Sequence, residues 1–134
     1  DVWKSSDWRL TCKPKGDERR DLELVRPFKN YSVQIDYKWD AKDADVKQAP
    51  LTLGGKPAWE VAALPGAAVE ALGEIQPGKF KRLRIDRGAN SQTIRLNGKV
   101  IAKDLPIERK QNESLALRDT GQATTFSSIY VLEK

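Results

Sequence analysis

Residues 31 to 39 alternate without a break: Tyr31, Val33, Ile35, Tyr37 and Trp39 occupy one parity, and Ser32, Gln34, Asp36 and Lys38 the other. Successive side chains of a strand point to opposite faces of a sheet, so this stretch buries its apolar set and wets its polar set only as a strand covered on one side. The same period of two recurs along the chain. Leu22 and Leu24 alternate with charged neighbours until Arg26-Pro27 interrupts, since a prolyl nitrogen cannot join a ladder. Leu83 and Ile85 alternate with Arg82, Arg84 and Asp86, and Gln92 to Leu96 runs into Asn97-Gly98, whose tolerance of positive φ predicts a two-residue hairpin turn continuing through Lys99 to Ala102. Leu115 and Leu117 share a face, and residues 124 to 132 form a β-rich end with an irregularity predicted near Ser127-Ser128. One short helix is predicted, Ala67 to Leu72, between Pro65-Gly66 and Gly73. Short strands with turn signals between them predict an all-β fold: an antiparallel two-sheet β-sandwich, its sheets packed face to face.

A chain of 134 residues predicts one such domain, residues 1–134, and no apolar run approaches the roughly 18 residues of a membrane span. Histidine is absent and Cys12 is the only cysteine, which removes zinc sites, Ser-His-Asp or Cys-His catalysis and intrachain disulfides. Any chemistry therefore uses carboxylates, Lys, Arg, Tyr or a hard cation. The formal charge of +5 comes from basic residues interleaved with acids. Even the densest basic stretch, Lys79 to Arg87, alternates like a half-exposed strand, so a solvated face is expected rather than a nucleic-acid partner. The chain has no methionine and begins Asp1-Val2-Trp3, which predicts a piece excised or processed from a longer product, with the parent's other domains as partners.

The motifs Gln34-Ile-Asp-Tyr-Lys-Trp39, Trp59-Glu60-Val61, Gly78-Lys-Phe-Lys-Arg-Leu-Arg-Ile85, Leu96-Asn97-Gly98, Leu115-Ala-Leu-Arg-Asp-Thr-Gly121 and Phe126-Ser-Ser-Ile-Tyr-Val131 follow one another in an order that resembles the 3-keto-disaccharide hydrolase-like family. The resemblance implies a concanavalin A-like jelly roll, a carbohydrate-related role and export, to an extracellular or periplasmic location, in bacteria that degrade polysaccharides. It also implies two acids, here Asp36 and Glu60, facing a concave surface. Two family positions differ. Pro50 to Gly55 lacks the family's arginine, and Thr120 stands where a histidine would precede the glycine.

Asp36 and Glu60 suit general acid–base work if one carboxylate keeps its proton while the other stays ionised. The favoured reading is that each simply pairs with Lys38, Arg82 or Arg84 across a sheet. Trp59 is open between a sugar-stacking platform and the core, while the parity of Trp39 assigns it to the core. Asp40, Asp43 and Asp45 form an acidic loop within reach of calcium chemistry, but Lys42 and Lys47 dilute it and the spacing lacks the glycine and glutamate of an EF-hand, so no cofactor is expected. Cys12 reads as a lone thiol. Asn30-Tyr31-Ser32 and Asn112-Glu113-Ser114 match a glycosylation pattern that is frequent by chance. Trp3 and Trp8 have no assigned place.

The leading expectation is a non-catalytic glycan-binding or accessory module, its ligand surface drawn from Asp36, Trp59, Glu60, Arg82, Arg84, Arg118 and Asp119. The alternative is a glycoside or 3-keto-glycoside hydrolase acting through Asp36 and Glu60, and a third reading is a protein-interaction module using a sheet edge.

Overall fold

The computed structural model describes residues 1–109 and 112–134. Its strands are β1 (Trp3–Ser6), β2 (Arg9–Cys12), β3 (Leu22–Glu23), β4 (Tyr31–Trp39), β5 (Leu51–Leu53), β6 (Lys56–Pro57), β7 (Lys81–Arg87), β8 (Ser91–Leu96), β9 (Lys99–Pro106), β10 (Leu115–Leu117) and β11 (Thr124–Glu133), with one α-helix, α1 (Gly66–Gly73). They form a seven-stranded sheet in the order β1-β2-β11-β4-β7-β8-β9 and a four-stranded sheet in the order β3-β10-β5-β6, with antiparallel pairing throughout.

Strand β4 lies at the middle of the large sheet, between β11 and β7, and its parity divides the molecule. Tyr31, Val33, Ile35, Tyr37 and Trp39 are all buried. Cross-strand register carries that face outward through Leu83 and Ile85 to Leu96 and Ile94, and through Phe126 on the other side. Residues directly opposite in an antiparallel pair share a face, so one alternating stretch sets the inward parity of its neighbours. Leu51, Leu53, Leu115 and Leu117 of the small sheet cover this face and are themselves buried. An apolar gap of about 60 Å³ is bounded by Val33 and Ile35 on one side and Leu51, Leu115 and Leu117 on the other, which marks the contact plane of the sandwich. Burying each large apolar side chain contributes roughly 1.5–3 kcal/mol.

The predicted hairpin is present and longer than expected, with β9 continuing to Pro106. Asn97 and Gly98 have φ of 52° and 80°, the left-handed pair whose twist matches a two-residue hairpin. The predicted irregularity is a bulge: the β4–β11 register shifts between Ser127 and Tyr130, and Ser128 has φ 50°. Helix α1 takes in the flanking glycines and buries Ala68 and Leu72, one turn apart, against the sandwich. No helix among the described residues is long and apolar enough to cross a membrane.

The stretch from Lys79 to Arg87 has the expected half-exposed alternation, with Arg82 and Arg84 outward, but two of its basic residues are not on the solvated face. Lys81 and Arg87 share the inward parity of Leu83 and Ile85 and are buried with them. Lys81 donates from Nζ to the carbonyls of Gln76 and Lys79 at 2.8 Å each, and burial, then the neighbouring Lys79 charge, holds its ammonium below the ordinary lysine value.

Replacing Gly98 with valine puts a β-branched residue at φ 80°. The variant should lose about 1–3 kcal/mol of stability in a denaturant titration, and an unchanged midpoint would contradict the turn assignment.

Candidate functional site

Arg87 ends the inward parity of β7, so its guanidinium emerges where the two sheets part. An arginine cannot shed its charge, and at this depth it needs an acceptor. The acceptor comes from the opposite sheet. Glu113 lies just ahead of β10, bridged to Phe28, and its carboxylate receives Arg87 Nε at 2.6 Å and Nη2 at 3.1 Å. Tyr31 donates its hydroxyl to the same carboxylate at 2.6 Å, and Arg109 Nε stands 3.9 Å from it. Burial pushes the Glu113 carboxyl up, but the hydrogen bonds from Arg87 and Tyr31 and the nearby guanidinium charges outweigh this and hold it below its ordinary value of 4.5. Burial and the Glu113 bond raise the Tyr31 phenol in turn. Space for Glu113 depends on Gly54: its φ is +60°, and a Cβ there would sit 2.8 Å from Glu113 Oε2.

Arg87 also donates from Nη1 to Gln92 Oε1 at 2.7 Å, and Gln92 Nε2 lies 3.5 Å from the Ala58 carbonyl. These groups border a cleft of about 360 Å³ at the edge of the sandwich. Its apolar lining comes from Leu53, Ala58, Trp59, Leu64 and Leu105, and its polar lining from Lys56, Glu60, Arg87, Gln92 and Glu108. A neighbouring hollow of about 330 Å³ shares Leu53, Lys56, Arg87 and Glu108 with it and reaches Glu113. Lys56, Glu60 and Glu108 are exposed, and among the described residues no side chain pairs with them. An apolar floor under a few uncommitted polar groups is the general form of a small-ligand site.

The seven residues expected to form one surface fall in three places. Asp36, Arg82 and Arg84 lie on the outward face of the large sheet. Arg82 grips Asp36 through Nε at 2.9 Å and Nη2 at 3.1 Å, and this hydrogen bond and charge raise the guanidinium's affinity for its proton. Arg84 and Arg95 pair with Asp86, which also accepts from Ser32. Burial raises the Asp86 carboxyl, and these partners override it to leave a net lowering.

Glu60 and Trp59 belong instead to the edge cleft. Asp36 faces Arg82 on the outer parity, whereas Arg87 of the cleft lies inward five residues along the same strand. Asp36 and Glu60 therefore do not share a pocket. Trp59 is only 2% exposed and donates its indole N–H to the Lys47 carbonyl at 3.0 Å, so it is a core residue and no stacking platform.

Arg118 and Asp119 lie at the opposite end of the sandwich. Arg118 donates to the Ala49 carbonyl at 3.2 Å. Asp119 is buried, accepting from the backbone N–H groups of Arg20 and Gly121, so it organises a turn. It also neighbours the buried Cys12, whose thiol is pushed up to about 12 by burial first and by Asp119 second. In the acidic loop, Asp40 meets Lys38 and Thr125, and Asp45 accepts from the Lys47 backbone. Among the described residues no three His, Cys, Asp or Glu side chains gather as a metal site would require.

Arg87, Gln92 and Glu113 were absent from the expected surface. Parity held the signal for Arg87, because a strand that buries Leu83 and Ile85 buries Arg87 as well. Nothing local marks Glu113 as its partner, since the two meet across sheets.

The chain matches no protein-family model and no curated protein sequence. Among solved structures it resembles an inferred glycosyl hydrolase from Parabacteroides distasonis at 13% identity, over 99% of this chain and 90% of that one, with a TM-score of 0.62. A second such protein from the same organism gives 0.65 at 13% identity, over 100% and 84%. The carbohydrate-binding module CBM66 from Bacillus subtilis gives 0.65 at 10% identity, over 98% and 91%. At these identities the likeness is one of fold, a β-sandwich common to all of them.

Two outcomes follow from the contrast between the buried and exposed ion pairs. Glu113 has a folded value below its unfolded one, so its stabilisation is present above about pH 4.5 and fades as pH falls toward the folded value. Glu113→Gln should cost about 3–5 kcal/mol at neutral pH and flatten the acid limb of a stability–pH curve. Asp36→Asn removes an exposed pair and should shift the melting temperature by no more than about 3 °C.

Proposed function

We propose that this chain is an exported, non-catalytic glycan-binding module, extracellular or periplasmic, that holds a sugar in the cleft beside Arg87. The observation that carries the reading is the meeting of Lys56, Glu60, Gln92 and Glu108 over an apolar floor in a space of about 360 Å³. A sugar ring offers an apolar C–H face and a rim of hydroxyls that both donate and accept, which suits apolar side chains ringed by an ammonium, an amide and carboxylates. The resemblance to the 3-keto-disaccharide hydrolase-like family and the fold shared with CBM66 support a carbohydrate as ligand. Hydroxyl recognition of this kind needs no metal.

The non-catalytic reading is supported by the surroundings of the buried and paired carboxylates. A general acid needs an environment that keeps its proton at neutral pH. The buried Glu113 does not provide one, because the hydrogen bonds from Arg87 and Tyr31 hold its carboxyl below the ordinary value. Asp36 is held by Arg82 on another face. The presence of both Glu60 and Glu108 at one cleft favours the competing reading, a glycoside or 3-keto-glycoside hydrolase, with Glu108 rather than Asp36 as partner.

One experiment separates them. Titration with neutral oligosaccharides should perturb the Gln92 side-chain amide in an NMR spectrum, with no release of sugar from glycosides or 3-keto-glycosides and no change on adding EDTA. Lys56→Ala and Glu60→Gln should each weaken binding about five- to tenfold, the loss of one or two hydrogen bonds. Turnover that vanishes in Glu60→Gln would instead establish the hydrolase.

A further inference from the structure

The hairpin joining β1 and β2 turns through two residues, Asp7 and Trp8, with Ser6 and Arg9 as the closing pair. Both turn residues have positive φ, 51° and 65°, the conformation that favours Asn and Gly. Tryptophan there is an outlier with a backbone cost and no folding return, because Trp8 is 99% exposed. Its indole stands free in water although the hairpin's base is firmly held: Trp3 packs on Phe126 with ring centroids 5.8 Å apart and donates to the Arg20 carbonyl.

Trp8 borders a groove of about 360 Å³ between the hairpin tip and the bulge of β11. The opposite wall contains Ser127 and Ser128, the latter itself at φ 50°. Ser5 and Ser6 add two more hydroxyls, and the charges beside them, Asp7 and Arg9, are one of each sign. Strained backbone thus lies on both walls, and an exposed indole and neutral hydroxyl-bearing residues border one space.

We propose that this groove is a second glycan site, in which Trp8 stacks on the pyranose ring of a neutral polysaccharide and the serine hydroxyls meet its rim. An exposed indole matches the C–H face of a ring, and the balanced charge of the walls favours an uncharged sugar over an anion. The site lies at the β1 edge of the large sheet, while the Arg87 cleft lies toward the β9 edge. With strands about 4.8 Å apart, the four spacings from β2 to β8 put roughly 20 Å across the sheet between the two, so each takes its own stretch of a long polymer and the gain appears as avidity. The inference shares with the proposed function a glycan as ligand, and it does not depend on the cleft.

The test titrates the isotope-labelled protein with oligomers of cellulose, xylan, mannan and starch, and with polygalacturonate. The Trp8 indole N–H and the Gln92 amide are followed separately, so either site can fail alone. A saturable Trp8 shift with a neutral oligomer is expected, retained in Lys56→Ala. Trp8→Gly restores the preferred turn residue, so it should melt no lower than the parent, yet its retention on the matching insoluble polysaccharide should fall about tenfold. A Trp8 resonance unmoved by every neutral oligomer, a response to polygalacturonate alone, or undiminished retention of Trp8→Gly would each overturn the proposal. So would a concentration-dependent dimer that Trp8→Gly abolishes, which would make the tip a contact between copies.

Discussion

The ion pair between Arg87 and Glu113 is the interaction around which this sandwich is arranged, because it is where the two sheets exchange charge instead of hydrocarbon. Arg87 ends the inward parity of the large sheet and Glu113 enters from the small one. A buried guanidinium and a buried carboxylate each carry a desolvation cost that only the other, well placed and fully hydrogen-bonded, offsets. The demand spreads outward. Tyr31 must present its hydroxyl, Gly54 must lack a Cβ, and Gln92 must accept from the remaining guanidinium nitrogen, Nη1. A polar group of this size cannot be packed shut with leucines, and the cleft lies beside it. At the other end of β7, Lys81 shares the same inward parity, but backbone carbonyls satisfy it.

Much of the fold was legible because strand parity is a local property. The run from Tyr31 to Trp39 carries its inward face in every second residue, and Asn97-Gly98 and the Ser127-Ser128 bulge are turn and strand chemistry written in adjacent positions. The candidate site was less legible because parity says which residues share a face of one strand and nothing about which strand lies opposite. Asp36 and Glu60 read either as a catalytic pair or as partners of nearby cations, and the structure gives Asp36 the cross-strand Arg82 while the loop after β6 carries Glu60 to a different edge. Asp119 and Glu113 look alike in sequence. The first ties a turn and the second spans two sheets, a difference made wholly by contacts distant along the chain.

The Asp7-Trp8 turn escaped for the opposite reason. Its residues contradict the local rule, since tryptophan is a poor choice at positive φ, and a reading built on propensity passes over a hairpin closed that way. Local rules are broken most often where function requires it. The same principle accounts for solved sandwiches that match nearly the whole chain at 10–13% identity. Inward apolar parity and turn geometry suffice to keep the architecture, and many sequences meet that condition.

Polar residues alone do not make a sheet face a binding surface. The outward face of the large sheet carries Arg82, Arg84 and Arg95, but Asp36 and Asp86 already occupy them, and a ligand there must break charge-assisted bonds to gain its own. In the edge cleft the order of events is reversed. The costly charge, Arg87, is neutralised within the fold, while Lys56, Glu60 and Glu108 keep their bonding capacity toward the open space. A ligand entering there would exchange water for protein at groups that give up no internal partner. Affinity depends on that difference in what must be surrendered, more than on the number of polar side chains in view.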